Sequence, residues 1–245
     1  MKFKLCLVLL FGAVMFSAFT LSRKQTTLYI IGDSTAANKS EKAYPETGWG
    51  MALQAFFKDD VKVDNRALNG RSTKSFRNEN RWQPILDQLK AGDYVFIEFG
   101  HNDEKVDKPT VGVTLDDFKI NLVNYVNETR SKKAIPVLLT PISRRSFKNG
   151  ILVDSHGGYP AVTRKVADSL KVPLIDMLLK TESLLNRLGD QGSIKLFLHV
   201  DSGHVNYPKG KKDDTHLSPD GAREIADLAV QGMRESKLGL AKHLK

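Results

Sequence analysis

Thr27-Leu-Tyr-Ile-Ile-Gly-Asp-Ser-Thr-Ala-Ala-Asn38 is the stretch that decides how this chain reads. Leu28, Ile30 and Ile31 suit a buried strand, whereas Gly32 followed by three small polar residues suits a sharp exit from the strand's end. In α/β sheets such exits lie on the rim where ligands bind. A serine in that exit, Ser34, is therefore a candidate for chemistry.

Four further segments read as strands, giving a set at residues 27–31, 61–66, 93–99, 134–140 and 172–176. Amphipathic patterns that suit helices separate them, at residues 49–58, 76–90, 115–132 and 161–170, and two more follow at 178–188 and 219–235. Strand and helix in alternation predict a parallel sheet covered on both faces, a three-layer α/β/α domain. Thr114 ahead of Leu115-Asp116-Asp117 reads as an N-cap with acids in the first turn, where the helix dipole favours negative charge. Ser218-Pro219-Asp220 places a capping serine before a proline at the first helical position. Residues 189–212 have weak periodicity and are expected to form a long loop near the site.

The chain has 245 residues and no Pro/Gly/Ser-rich linker, which fits one domain over residues 23–245. Residues 1–22 read as a signal peptide: Met1-Lys2-Phe3-Lys4 is a short basic start, and residues 5–19 are uncharged and apolar. That run is shorter than the roughly 20 apolar residues a membrane span needs. The expectation is an exported protein, periplasmic or extracellular, with no stable membrane insertion once the segment is removed. Cys6, the only cysteine, lies inside it. The mature chain would hold no thiol, which excludes cysteine nucleophiles, disulfides and thiolate metal sites.

Lys and Arg total 37 against 28 acids, a net +9. A basic exported protein can attract nucleic acid, anionic surfaces or an acidic polymer. The charges form no stripe with interleaved aromatics, and residues 209–212 are the one dense cluster, so nucleic acid is not an expected partner.

Chemistry concentrates where strands end. Gly32-Asp33-Ser34 follows the first strand, Ala67-Leu68-Asn69-Gly70-Arg71 the second, and Gly100-His101-Asn102-Asp103 the third. A parallel sheet puts these exits on one edge. Asp213-Asp214-Thr215-His216 comes just before the last helix and can return to that edge. Any one of these pieces is an ordinary turn; four in order at one edge are the parts of an acyl-transfer site. A serine hydroxyl needs an imidazole to take its proton, and the imidazole needs a carboxylate to fix its tautomer. Asp213 and His216, three residues apart, can be presented together by one tight turn. Charge developing on a substrate carbonyl oxygen needs donors already aimed at it. The backbone N–H groups of Ser34 and Gly70 and the side-chain amide of Asn102 are candidates, and Gly70, with no Cβ, allows close approach.

At these residues the chain resembles the SGNH (GDSL-type) hydrolases, and within them the rhamnogalacturonan acetylesterase branch. The resemblance covers residues 28–230 through Gly32-Asp-Ser-Thr35, Gly48-Trp-Gly50, Asn69-Gly-Arg-Ser-Thr-Lys-Ser-Phe76, Arg81-Trp82, Gly92-Asp-Tyr-Val95, Phe99-Gly-His-Asn-Asp103, Thr140-Pro-Ile-Ser-Arg-Arg145, Ser155-His-Gly157 and Asp214-Thr-His216. It implies a flavodoxin-like sheet of five parallel strands in the order 2-1-3-4-5 and no metal or organic cofactor. It implies Ser34 as nucleophile, His216 as general base and then acid, Asp213 as the orienting acid, and Ser34, Gly70 and Asn102 as oxyanion donors. Spacing alone leaves Asp213 and Asp214 both open; the family's three-residue offset selects Asp213. Thr35 stands where the broad GDSL signature has leucine, as in the acetylesterase branch. The substrates implied are acetyl esters on plant cell-wall polysaccharide, especially pectin.

Arg71, Arg144 and Arg145 lie near strand exits and are either uronate contacts or solvated arginines. His156 is a candidate sugar contact or a surface histidine, and Trp82 is expected in the core. His199, Asp201 and His204 lie close in sequence without the spacing of a known metal site. The alternatives are a hydrolase of lipid or thioester acyl chains and a non-catalytic polysaccharide-binding module.

Overall fold

In the computed structural model, residues 25–245 are described, so the expected export segment with Cys6 lies outside the described residues. Five apolar runs pair into one parallel sheet: β1 (Thr26–Gly32), β2 (Val61–Asn65), β3 (Tyr94–Glu98), β4 (Ile135–Leu139) and β5 (Leu174–Ile175), in the order β2-β1-β3-β4-β5. The three-layer fold and the strand order are as the alternation of elements and the family resemblance implied. Among the described residues, no helix is long and apolar enough to cross a membrane.

The period of two along each strand divides the core between the two faces. Leu28, Ile30, Phe96, Val137 and Leu139 join one cluster, which α1 (Trp49–Ala52), α6 (Met177–Ser193) and α7 (Pro219–Glu235) complete. Tyr29, Ile31, Val95, Ile97 and Leu138 join the other, with α2 (Thr73–Asn78), α3 (Gln83–Gln88), α4 (Leu115–Ser131) and α5 (Tyr159–Leu170). Trp82 is buried here, edge-on to Tyr125, with its indole N–H donating to Glu128 at 2.5 Å. The caps form as expected: Thr114 accepts from the Asp117 amide at 3.1 Å and Ser218 from the Gly221 amide at 3.0 Å.

Two expected helices differ. The pattern at 76–90 is divided into α2 and α3, because Asn80 takes a left-handed φ of 54° and Pro84 favours a fresh helix start. The pattern at 49–58 gives α1 and then a 3₁₀ turn, Leu53–Phe56.

Gly32 ends β1 for a steric reason. A Cβ there would lie 2.5 Å from the Glu98 carbonyl oxygen of β3, its partner in register. The next residues turn on Asp33, wholly buried, whose Oδ1 accepts from the Thr35 amide and the Thr35 hydroxyl, both at 2.9 Å. Thr35 Oγ1 also lies 3.3 Å from Oε1 of the buried Glu98, and Trp49 Nε1 donates to Oε2 of the same group at 3.1 Å. One hydroxyl hydrogen cannot serve two carboxylates. The conflict disappears when Glu98 is protonated and donates to Thr35 while Thr35 donates to Asp33. Burial, and after it the charge of Asp33, push Glu98 up to about 8. Burial raises Asp33 as well.

Folding therefore takes up a proton at Glu98 wherever the unfolded chain, with an ordinary carboxyl value of about 4.3, has released it. The associated stability is complete below about pH 4.3 and is lost as pH rises through about 8. Melting temperatures recorded from pH 5 to 9 should fall across this window, and Glu98→Gln should flatten the slope. A slope equally steep in that variant would mean that Glu98 is ionised throughout.

Candidate active site

The expected loop at 189–212 is in part a hairpin. α6 runs past its expected end, turning at Gly189, and is followed by β6 (Phe197–Val200), which pairs antiparallel with β7 (Lys211–Leu217). β7 carries both Asp213 and His216. Residues three apart on a regular strand point to opposite faces, so the expected tight turn is replaced by an irregularity in the ladder. Phe197 pairs with Leu217, but the next residue, Leu198, pairs with Asp213. The extra residues of β7 bulge out around the Asp213 carboxylate, whose Oδ1 accepts from the amides of Thr215 at 2.9 Å and His216 at 3.0 Å.

Asp213 Oδ2 lies 2.9 Å from His216 Nδ1, and His216 Nε2 lies 2.9 Å from Ser34 Oγ. Burial pushes the Asp213 carboxyl up, but the His216 ring and the two backbone amides outweigh it and hold the group well below the usual carboxylate range. An ionised carboxylate only accepts. His216 therefore carries its proton on Nδ1, and Nε2 is left to accept from the serine hydroxyl. The adjacent Asp214 is turned elsewhere: its Oδ1 accepts from Arg145 Nη1 at 2.8 Å and lies 2.8 Å from His199 Nε2. Of the two acids that spacing left open, only Asp213 faces His216.

Ser34 sits just past β1 and is nearly buried. Gly70, past β2, is exposed and takes a φ of +77°, a conformation that side chains resist. A Cβ at Gly70 would meet no protein atom within 4 Å, so its backbone conformation, not local crowding, calls for glycine. Among the described residues, neither the Ser34 amide nor the Gly70 amide donates to a protein acceptor. Asn102, past β3, donates from Nδ2 to the Arg71 carbonyl at 3.1 Å, and its Oδ1 accepts from Lys105 Nζ at 2.7 Å. Lys105 fixes which way the amide faces, leaving the second Nδ2 hydrogen uncommitted.

Lys39 joins these segments, and nothing local in its polar surroundings marks it. Its Nζ donates to the Ser34 carbonyl at 2.6 Å and to Asn69 Oδ1 at 2.7 Å, and pairs with Glu46 at 2.6 Å. The side chain is only 2% exposed. One buried cation thus ties the turn that bears Ser34 to the loop that bears Gly70.

The arginines are not free. Arg71 donates to Glu79 through Nε and Nη2 and to the Asn69 carbonyl through Nη1, so it braces the Gly70 loop. Arg144 pairs with Glu104 at 2.5 Å and donates to the Ser155 carbonyl at 2.7 Å. Arg145 pairs with Asp190 and Asp214. His156, read as either a sugar contact or a surface histidine, is buried instead: Nδ1 lies 2.9 Å from Glu104 and Nε2 2.8 Å from the Ile142 carbonyl. Both nitrogens are engaged with protein, so the ring presents nothing to a substrate. Among the described residues no group of three or more His, Cys, Asp or Glu gathers to hold a metal ion. His204 packs its ring near Tyr44 and Tyr207.

If Lys39 holds the two amide-bearing segments in place, Lys39→Met combined with Glu46→Gln, which removes the stranded carboxylate, should lower kcat on a nitrophenyl ester by about tenfold to a hundredfold. KM should stay nearly constant, and Lys39→Arg should not restore the rate, since three acceptors converge on one nitrogen. A double variant with native kcat would leave Lys39 no part in positioning.

An aligned Ser-His-Asp chain with unpaired amides beside it is what acyl transfer to a serine requires, and the comparisons agree. Residues 30–224 match the family described as GDSL-like Lipase/Acylhydrolase. Rhamnogalacturonan acetylesterase RhgT of Bacillus subtilis is 38% identical over 224 residues, covering 91% of this chain and 95% of that protein. Protein YxiM of Bacillus subtilis superposes with a TM-score of 0.77 at 26% identity, over 88% of this chain and 58% of that chain's length. The acetylxylan esterase Axe2 of Geobacillus stearothermophilus shares the fold, with a TM-score of 0.60 at 20% identity over 89% of this chain and 98% of that one. With a match spanning most of its length and its serine, histidine and acid in one hydrogen-bonded line, this chain belongs to the GDSL-like lipase/acylhydrolase family.

Proposed function

We propose that this serine esterase is an exported enzyme that removes O-acetyl groups from pectic rhamnogalacturonan. The observation that carries the reading is the unbroken line from Asp213 through His216 to Ser34, with 2.9 Å at each step. The likeness to rhamnogalacturonan acetylesterase RhgT supports the acetyl group and the polymer. The basic start and apolar run of residues 1–22 support export.

In the proposed reaction Ser34 Oγ attacks the acetyl carbonyl carbon as its proton passes to His216 Nε2. Negative charge moves onto the carbonyl oxygen, where the Ser34 and Gly70 amides and the free Asn102 hydrogen receive it. The C–O bond to the sugar then breaks, and the proton on His216 Nε2 goes to the departing sugar oxygen. Water, deprotonated by His216, attacks the acetyl-serine; acetate leaves and Ser34 regains its proton. Asp213 stays ionised throughout and stabilises the imidazolium that forms twice in each cycle.

Ser34→Ala should abolish acetate release from acetylated rhamnogalacturonan while circular dichroism shows a native fold; retained turnover would end the assignment. Asn102→Ala should lower kcat by about 10²–10³, the usual cost of one lost oxyanion donor. It should move KM much less, since the donor acts on developing charge. An effect confined to KM would make Asn102 a ground-state binding residue.

A further inference from the structure

A cavity of about 370 Å³ lies between the 39–51 segment and Asn206. This is the size of a small-ligand pocket. Two of its lining residues touch the catalytic segments directly. Lys39 donates to the Ser34 carbonyl at 2.6 Å, and the Thr47 amide donates at 3.0 Å to the carbonyl of Leu217, the residue after His216. Two lining residues are thus bonded to the segments that carry Ser34 and His216, which the proposed function invokes and on which this inference rests.

Its walls combine exposed apolar groups with a rigid frame. Tyr44 is 57% exposed and Met51 41%. Two of the eight large hydrophobic side chains left exposed among the described residues thus line one cavity. The backbone beneath Tyr44 is clamped. Asn206 Nδ2 donates to the carbonyls of Glu41 at 2.9 Å and Tyr44 at 2.8 Å, and the Tyr207 hydroxyl donates to the Ala43 carbonyl at 2.8 Å. The His204 ring, 6.4 Å away, backs the Tyr44 ring. A flat aromatic face held in place and open to solvent is a stacking surface.

The charges decide what it takes. Lys39 is the one cation in the lining, and its ammonium is already committed to three acceptors, Glu46 among them. Glu41 adds an exposed carboxylate. The lining itself offers no free positive charge to a uronate, whereas a neutral ring presents hydroxyls to the carboxylate and C–H groups to Tyr44 and Met51. We infer that this cavity is a subsite for an uncharged pyranose of the polysaccharide, next to the sugar that bears the acetyl group, and that Tyr44 is its stacking platform.

Tyr44→Ala should raise KM about tenfold, the scale of one lost stacking contact, for acetylated oligosaccharides with a neutral sugar beside the acetylated residue. It should leave 4-nitrophenyl acetate and acetylated oligomers made only of galacturonate unaffected, and Tyr44→Trp should restore the native KM. An unchanged KM on the neutral-flanked substrate, or an equal loss on the all-uronate one, would overturn the inference while leaving the esterase reading intact. If the native enzyme released no acetate from any acetylated oligosaccharide but still hydrolysed 4-nitrophenyl acetate, the polysaccharide reading would fail and the subsite with it.

Discussion

A carboxylate that must remain charged governs this site. Asp213 is largely shielded from water, yet two backbone amides and the His216 ring converge on it and keep it ionised. The amides come from the bulge in β7, so the irregularity that holds the acid also swings His216 onto the same side. An ionised acceptor at Nδ1 dictates the tautomer, the tautomer leaves Nε2 open, and Nε2 meets Ser34. A regular strand would place the acid and the imidazole on opposite faces and break the line at its first step.

The same edge holds carboxyls with the opposite fate. Glu98 is pushed up to about 8 and Asp103 to about 7, chiefly by burial, and Asp33 is raised too. All three are wholly buried, and Asp33 and Asp103 each leave one oxygen without a protein partner, whereas Asp213 is less deeply buried and has several donors arrayed around it. The contrast is useful to a reaction that builds negative charge nearby. A neutral Glu98 in the framework of the Ser34 turn removes a repulsion that an ionised one would exert through a medium of low dielectric. Acids of one chemical type thus stand in two charge states, according to how deeply each is buried and how many N–H groups offset that burial.

Much of this was legible in the sequence because the decisive signals are local. β1, β3 and β4 are apolar runs, and their exits announce themselves by glycine and small polar residues. Ser34, Gly70 and Asn102 could be named because each closes a strand of a parallel sheet. What was not legible depends on contacts between distant segments. Lys39 sits among Asn, Ser and Glu and looks solvated; its burial follows from acceptors at Asn69, Glu46 and the Ser34 carbonyl. The hairpin of β6 and β7 escaped because Lys211-Lys-Asp-Asp-Thr-His-Leu217 has no alternation of apolar and polar residues, and its pairing is interrupted by the bulge. His156 and Arg144 looked exposed in a polar loop, yet Glu104, two residues beyond Asn102, draws both inward.

Pairing also changes what the net charge of +9 means. Near the site, Arg71 meets Glu79, Arg144 meets Glu104, Arg145 meets two aspartates and Lys39 meets Glu46. Each of these four cations is spent on holding a loop. On the hairpin that carries Asp213 and His216, Lys209 and Lys212 are exposed, and Lys211 Nζ lies 3.6 Å from Asp213 Oδ2. Lysines there contribute to a field around the molecule that reaches over roughly a Debye length of 8 Å at physiological salt. A field of that kind selects a polymer by its charge and is indifferent to which ester enters. Selection of the ester falls instead to short-range features that salt does not screen: the shape around Ser34, the placement of its amides, and the clamped aromatic face of Tyr44.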